Sequence, residues 1–348
     1  MEIIFARELD IMSMERESPA PRRKTKKVGK RILLTLGVIA GIFAIGIAGT
    51  FAFMTYKNAH YYDFVKTGGP IEEKYTAMGP LAVTHAAISD GRDTFGKQQV
   101  WYPAELPGSN VTYPVVVIAN GTGSVASTIE PVLKHLASWG FIVVGNDDKN
   151  SRTGESSAAS LDFILASNED PESAFFGKVD VNRVGIAGHS QGGVGAINAV
   201  TRQPNGGRYS AVFVASPTGE YWGKNPDFGP EWAYEPAKLS VPTYAVAGTG
   251  SFDAGTAQDI NATEGQGITP LWSLQNTFKA IPDGVSKVIA RLADGDHGDT
   301  LTSGSGYMTA WFLYWLAGDE QAGAAFTGDQ PELARNPRWQ DVQLSVNR

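Results

Sequence analysis

The stretch "VGIAGHSQGGVGA" (184–196) decides how the rest of the chain is read. Glycines and alanines crowd around a single serine, Ser190. A packed core has no use for such a run, because glycine contributes no apolar area and loses the most backbone entropy on folding. A backbone bent sharply between two closely packed elements does need it. The residues before the serine, "RVGIAGH" (183–189), read as a buried strand, and those after it, "QGGVGAINAVTRQ" (191–203), as a helix. Ser190 therefore stands on a strand–turn–helix junction, with Gly188, Gly192 and Gly193 small enough to let strand and helix approach.

Working outward, strands and helices alternate. "LAVTHAAI" (81–88) and "QQVWYPA" (98–104) read as two early strands joined by a turn-rich connection. "YPVVVIAN" (113–120), "FIVVGND" (141–147), "SAVFVASP" (210–217), "VPTYAVAGTG" (241–250) and "SKVIARLADG" (286–295) read as further strands. Helices are expected over 128–140, 156–168 and 306–318. Continuously apolar strands alternating with helices imply a mostly parallel sheet of about eight strands, covered by helices on both faces, over residues 76–348. In such sheets ligands bind at the carboxyl edge of the strands, where Ser190 is placed.

The first 75 residues read differently. "RRKTKKVGKR" (22–31) holds seven basic residues, and residues 32–56 carry no charge. At about 1.5 Å per residue the uncharged segment can cross a hydrocarbon core of about 30 Å. The basic flank places residues 1–31 in the cytoplasm as a tail and the remainder outside. An uncleaved transmembrane anchor is expected, the alternatives being cleavage near Ala52 or a buried core helix. Residues 57–75 read as a polar spacer. Residues 1–56 hold nine basic and five acidic groups, the remainder 20 and 31, so the outward-facing part is acidic and lacks the basic stripe that nucleic acid requires. The chain has no cysteine, which excludes disulfides, thiolate metal sites and a cysteine nucleophile.

Gly188-His189-Ser190-Gln191-Gly192 has the G-x-S-x-G form of a nucleophile elbow. α/β-Hydrolases run serine, acid, histidine along the chain. Of five histidines only His297 follows Ser190, in the turn-rich "LADGDHGDTL" (292–301), and it is the expected general base. His189 is read as shaping the elbow. The acid is expected after the strand at 243–248. Asp253 is favoured there over Asp259, with Glu220 as an outsider. Asp294, Asp296 and Asp299 could suggest a hard-cation loop, but no distal glutamate follows at calcium-loop spacing, and a plain acidic turn is preferred. The oxyanion donors are expected to be the backbone N–H of Gln191 and that of Thr122, in the loop "NGTGS" (120–124).

Across about 75–345 the chain resembles the cutinase-like polyester hydrolases and related bacterial serine esterases of the α/β-hydrolase superfamily. "LASWGFIVVGNDDKNS" (136–151), "FGKVDVNRVGIAGHSQGGVGA" (176–196) and "VPTYAVAG" (241–248) carry the resemblance in order. It implies a carboxylic ester hydrolase with Ser190 as nucleophile, His297 as base, Asp253 as acid, and no cofactor or metal. Thr122 stands where polyester-cleaving members carry an aromatic residue, and Gln191 where they carry methionine. Small or short-chain esters are therefore the expected substrates, with a polyester or lipid-like ester as the alternative. A non-catalytic surface module on the same fold is the rival class.

Overall fold

The computed structural model describes residues 65–91 and 94–347. The proposed cytoplasmic tail and the uncharged segment 32–56 lie outside the described residues. Among the described residues no helix is long and apolar enough to cross a membrane.

Nine strands form one sheet in the order β1-β2-β4-β3-β5-β6-β7-β8-β9. They are β1 (Val83–Ile88), β2 (Gln98–Pro103), β3 (Tyr113–Ala119), β4 (Ile142–Gly145), β5 (Val179–His189), β6 (Ala211–Ala215), β7 (Thr243–Gly248), β8 (Lys287–Leu292) and β9 (Trp339–Ser345). β3 to β8 pair in parallel. β1 and β2 at one edge and β9 at the other pair antiparallel. The expected mostly parallel sheet is present, with one strand more than anticipated. β9 has only Trp339, Val342 and Leu344 as apolar residues, separated by polar ones, so it offers no continuous apolar run to read.

The central strands are buried on both faces, and successive residues serve opposite sides. Val116 and Ile118 join one apolar cluster with α2 (Glu130–Ser138) and α6 (Ser305–Phe312), while Val115 and Val117 join the other with α3 (Glu155–Glu169) and α4 (Gln191–Arg202). This is the period-two alternation of a strand sandwiched between two helical layers. A fifth long helix, α5 (Leu271–Ala280), covers the second face through Leu274 and precedes β8.

The stretch read as a spacer ends in structure. Residues Pro70–Thr76 form α1, with proline at the start of its first turn. Tyr75 and Glu72 are fully buried. The Glu72 carboxylate accepts hydrogen bonds from Gly68 N–H (2.6 Å), Asn336 Nδ2 (2.8 Å) and Trp339 Nε1 (2.8 Å). Glu332 in turn accepts from the first amides of α1, Ile71 and Glu72, each at 2.8 Å. The folded part therefore begins before residue 70, and a charged residue that looked like linker is bonded to Asn336 and Trp339, more than 260 positions away.

Candidate active site

β5 ends at His189, and α4 begins at Gln191. Ser190 between them has φ 58° and ψ −125°, a left-handed backbone that is rare for a residue with a side chain. Its neighbours explain how the turn is held. A Cβ on Gly188 would lie 2.0 Å from Gly192 O, and one on Gly192 2.1 Å from Ala119 O. Neither position can carry a side chain without parting strand and helix. Ser190 N–H donates to Ala215 O (3.0 Å), and its carbonyl accepts from Gly193 (2.9 Å) and Thr218 (3.2 Å).

The loops after β7 and β8 bring the other two predicted residues to this serine. His297 Nε2 lies 2.9 Å from Ser190 Oγ, and His297 Nδ1 lies 2.7 Å from Asp253 Oδ1. Asp253 has no exposed surface. Its second oxygen accepts from Gly248 N–H (2.7 Å) and from Ser216 Oγ. Ionised Asp253 has only acceptors, so Nδ1 carries the imidazole proton and Nε2 is left to accept from the serine hydroxyl. Asp259 is exposed and accepts from Asn261 N–H in a local turn (2.7 Å). Glu220 pairs with Lys224 (3.2 Å) and Asn276 (2.6 Å). Neither reaches His297.

His189 donates from Nε2 to the carbonyl of His297 (2.8 Å), and the two rings lie 4.7 Å apart. Burial, reinforced by the neighbouring His297, pushes the His189 imidazole down to about 4, so it stays neutral near pH 7. Asp296 was read as part of an acidic turn, and it does more than turn the chain. Its Oδ1 accepts from Asp253 N–H and His297 N–H, each at 2.8 Å, and its Oδ2 from Phe252 N–H at 3.1 Å. Burial alone would raise the Asp296 pKa, but the N–H groups of His297, Phe252 and Asp253 hold it below the ordinary aspartate range. Asp299 accepts from Asp296 N–H (2.9 Å), and Asp294 is exposed. Among the described residues no cluster could hold a metal ion.

Gln191 is the first residue of α4, where an amide has no intrahelical acceptor. Thr122 lies in the loop after β3, exposed at the carboxyl edge of the sheet. That loop is pinned to the one after β4. Gly123 N–H donates to Lys149 O (3.2 Å), and Asn120 Nδ2 donates to the carbonyls of Asn146 and Asp148, both at 2.8 Å. The buried Gln191 side chain adds a bridge, donating from Nε2 to Lys149 O (3.1 Å) and Thr122 Oγ1 (3.3 Å). Arg152 Nη1 donates to Gln191 Oε1 at 2.8 Å, and its Nη2 reaches Glu231 at 3.3 Å. The sequence reading used only the backbone of Gln191 and missed Arg152. A cation in the loop after a parallel strand was the available signal.

Aromatic side chains also appear where the sequence did not place them. Phe252, next to the acid, meets His297 edge-on at 5.3 Å. After β6, Trp222, Phe228 and Trp232 form a run of edge-to-face contacts, with Arg152 lying 5.1 Å from the Trp232 ring. A serine hydroxyl hydrogen-bonded to an imidazole that is itself held by a buried carboxylate is an arrangement able to carry out acyl transfer.

Comparison with known proteins agrees with this architecture. A family described as PET hydrolase-like matches residues 66–218. The chain is 28% identical over 195 residues to a bis(hydroxyethyl) terephthalate hydrolase of Streptomyces coelicolor, covering 53% of this chain and 59% of that one. It is 32% identical over 134 residues to cutinase est2 of Thermobifida alba, covering 36% of this chain and 42% of the relative. A cutinase of Thermobifida fusca, cut1, is 31% identical over a stretch of the same length, 40% of its own chain. The chain thus spans less than two thirds of each of these relatives. Over residues 66–218 the chain is thus similar to the PET hydrolase-like family, and in part of its length to cutinases and a bis(hydroxyethyl) terephthalate hydrolase.

Proposed function

We propose that the chain is a serine carboxylic ester hydrolase, acting on small or short-chain esters from an outward-facing, membrane-anchored position. The observation that carries the reading is the continuous hydrogen-bonded path from Ser190 Oγ through His297 to buried Asp253. Ser190 Oγ attacks the ester carbonyl while His297 Nε2 takes its proton. The Thr122 and Gln191 N–H groups receive the developing oxyanion, and Asp253 stabilises the imidazolium. His297 then gives the proton to the leaving alkoxide, an acyl-enzyme remains on Ser190, and water activated by the same imidazole releases the acid. A fluorophosphonate probe applied to the full chain in detergent tests this. Labelling at Ser190 that disappears in Ser190→Ala supports it, and an unlabelled Ser190 leaves a binding module on a hydrolase fold.

The location rests on sequence. The uncharged run 32–56 and its basic flank support a single span with the hydrolase domain outside. Protease added to intact cells should digest the domain and spare a small N-terminal fragment. A domain that stays protected until the cells are lysed would reverse the orientation.

A further inference from the structure

Two rings flank the His297 imidazole, and they differ in what they can still touch. His189 is spent on packing and on the hydrogen bond to the His297 carbonyl. Phe252 lies edge-on to His297, with ring centroids 5.3 Å apart and planes at 89°, yet keeps 59% of its surface exposed. It is one of five exposed large apolar side chains among the described residues, and it is the one of the five in ring contact with His297. A lone exposed apolar residue ordinarily needs no explanation. This one has a fixed backbone. Its N–H is held by Asp296 Oδ2 (3.1 Å) and its carbonyl by Ile268 N–H (2.9 Å). The same Asp296 carboxylate holds His297 N–H at 2.8 Å, so one anchor ties together the backbones that carry the phenyl ring and the imidazole.

We infer that Phe252 is the apolar wall of the alcohol-side subsite, and that the enzyme prefers esters whose alcohol portion is alkyl or aromatic. This rests on the ester-hydrolase reading. When the tetrahedral intermediate collapses, the C–O bond to the alcohol breaks and His297 Nε2 delivers its proton to the departing oxygen. That oxygen must lie within hydrogen-bond reach of Nε2, which places the first carbons of the alcohol beside the imidazole. The acyl carbonyl oxygen faces the Thr122 and Gln191 amides instead. On this reading the exposed Phe252 ring lies along the path of the departing alcohol, where covering its exposed face removes apolar surface from water.

The test uses the full chain in detergent with two matched series. One holds the acyl group constant as methyl, butyl and benzyl acetate, and the other holds the alcohol constant as methyl acetate, butyrate and benzoate. Phe252→Ala should lower kcat/KM on benzyl acetate about tenfold more than on methyl acetate, the range expected for losing one apolar contact in a specificity pocket. The methyl ester series should move by one common factor. Phe252→Leu keeps aliphatic surface and should retain the butyl over methyl preference better than Phe252→Ala. An equal loss along the alcohol series, or a change confined to the acyl series, overturns the assignment. Absence of turnover on every ester by the unsubstituted chain, with Ser190 unlabelled, removes the hydrolase reading and this inference with it. A labelled, active enzyme with unchanged alcohol preference in Phe252→Ala removes this inference alone.

Discussion

Arg152 Nη1 donates to Gln191 Oε1 at 2.8 Å, and this contact orients the Gln191 amide. A guanidinium has no acceptor, so the amide oxygen must face it and Nε2 must face Thr122 Oγ1 and Lys149 O. One proposed oxyanion donor thus uses its side chain to hold the loop that carries the other. Gln191→Glu keeps the contact to Arg152 but turns an acceptor toward the Lys149 carbonyl. It should lower kcat by about 10–100-fold, less than the ~10²–10³ seen when an oxyanion donor is lost outright, with KM changed little. Arg152→Met should move kcat the same way by a smaller factor. Steady-state kinetics on p-nitrophenyl acetate beside a thermal melt would separate this from unfolding. A raised KM at constant kcat would show that the bridge serves substrate binding instead.

Asp296 joins the acid loop to the base loop through three backbone amides. Asparagine offers one oxygen where the carboxylate offers two, and no charge. Asp296→Asn should cost about 1–2 kcal/mol at pH 7, given that the group is partly exposed. The sign with pH follows from its depressed pKa. The stabilisation is present above the unfolded value near ~3.9 and is lost as pH falls through the lower folded value. The gap between parent and variant, read from urea unfolding, should therefore narrow below about pH 4. A gap that stays constant down to pH 3 would mean the carboxylate's charge is irrelevant to the clamp.

These relationships mark where sequence reading stops. Ser190 was legible because the tight approach around it leaves a local trace, with Gly188 against Gly192 and Gly192 against Ala119. His297 and Asp253 followed from chain order and from the strands that precede them. The clamp by Asp296, the bridge through Arg152 and the exposed face of Phe252 depend on which loops meet beyond the sheet edge, and no periodicity records that. α1 escaped for a similar reason. Glu72 is a helix residue whose carboxylate is buried, and its partners Asn336 and Trp339 stand at the other end of the chain.

The three residues joined by hydrogen bonds should behave as one unit. Ser190→Ala and His297→Ala are each expected to lower kcat by about 10⁴ or more, and the double variant should lose little further. Asp253→Asn should be severe, since the buried carboxylate sets the imidazole tautomer, and Asp259→Asn mild, since Asp259 only closes a local turn. Losses that multiply in the double variant would mean that Ser190 and His297 act separately.

The last prediction concerns the size of the substrate. Thr122 is exposed at the mouth of the site, at a position where an aromatic ring could offer a flat apolar face. Phe252 stands beside His297, so the proposed site has an aromatic ring on the proposed alcohol side and a small polar side chain at the loop proposed to hold the oxyanion. A stretched polymer segment gripped on one side loses part of the binding energy that holds its carbonyl in attack geometry. Short soluble esters should be cleaved well and solid aromatic polyesters poorly. Thr122→Tyr should raise product release from a polyester film, because the oxyanion donor is a backbone N–H and survives the change. The Gln191 contact to Thr122 Oγ1 is lost in that variant, so its kcat on p-nitrophenyl acetate should fall modestly while film activity rises. The ratio of the two activities, measured for parent and variant, decides the matter. Vigorous film hydrolysis by the unsubstituted enzyme would remove Thr122 as the limiting feature.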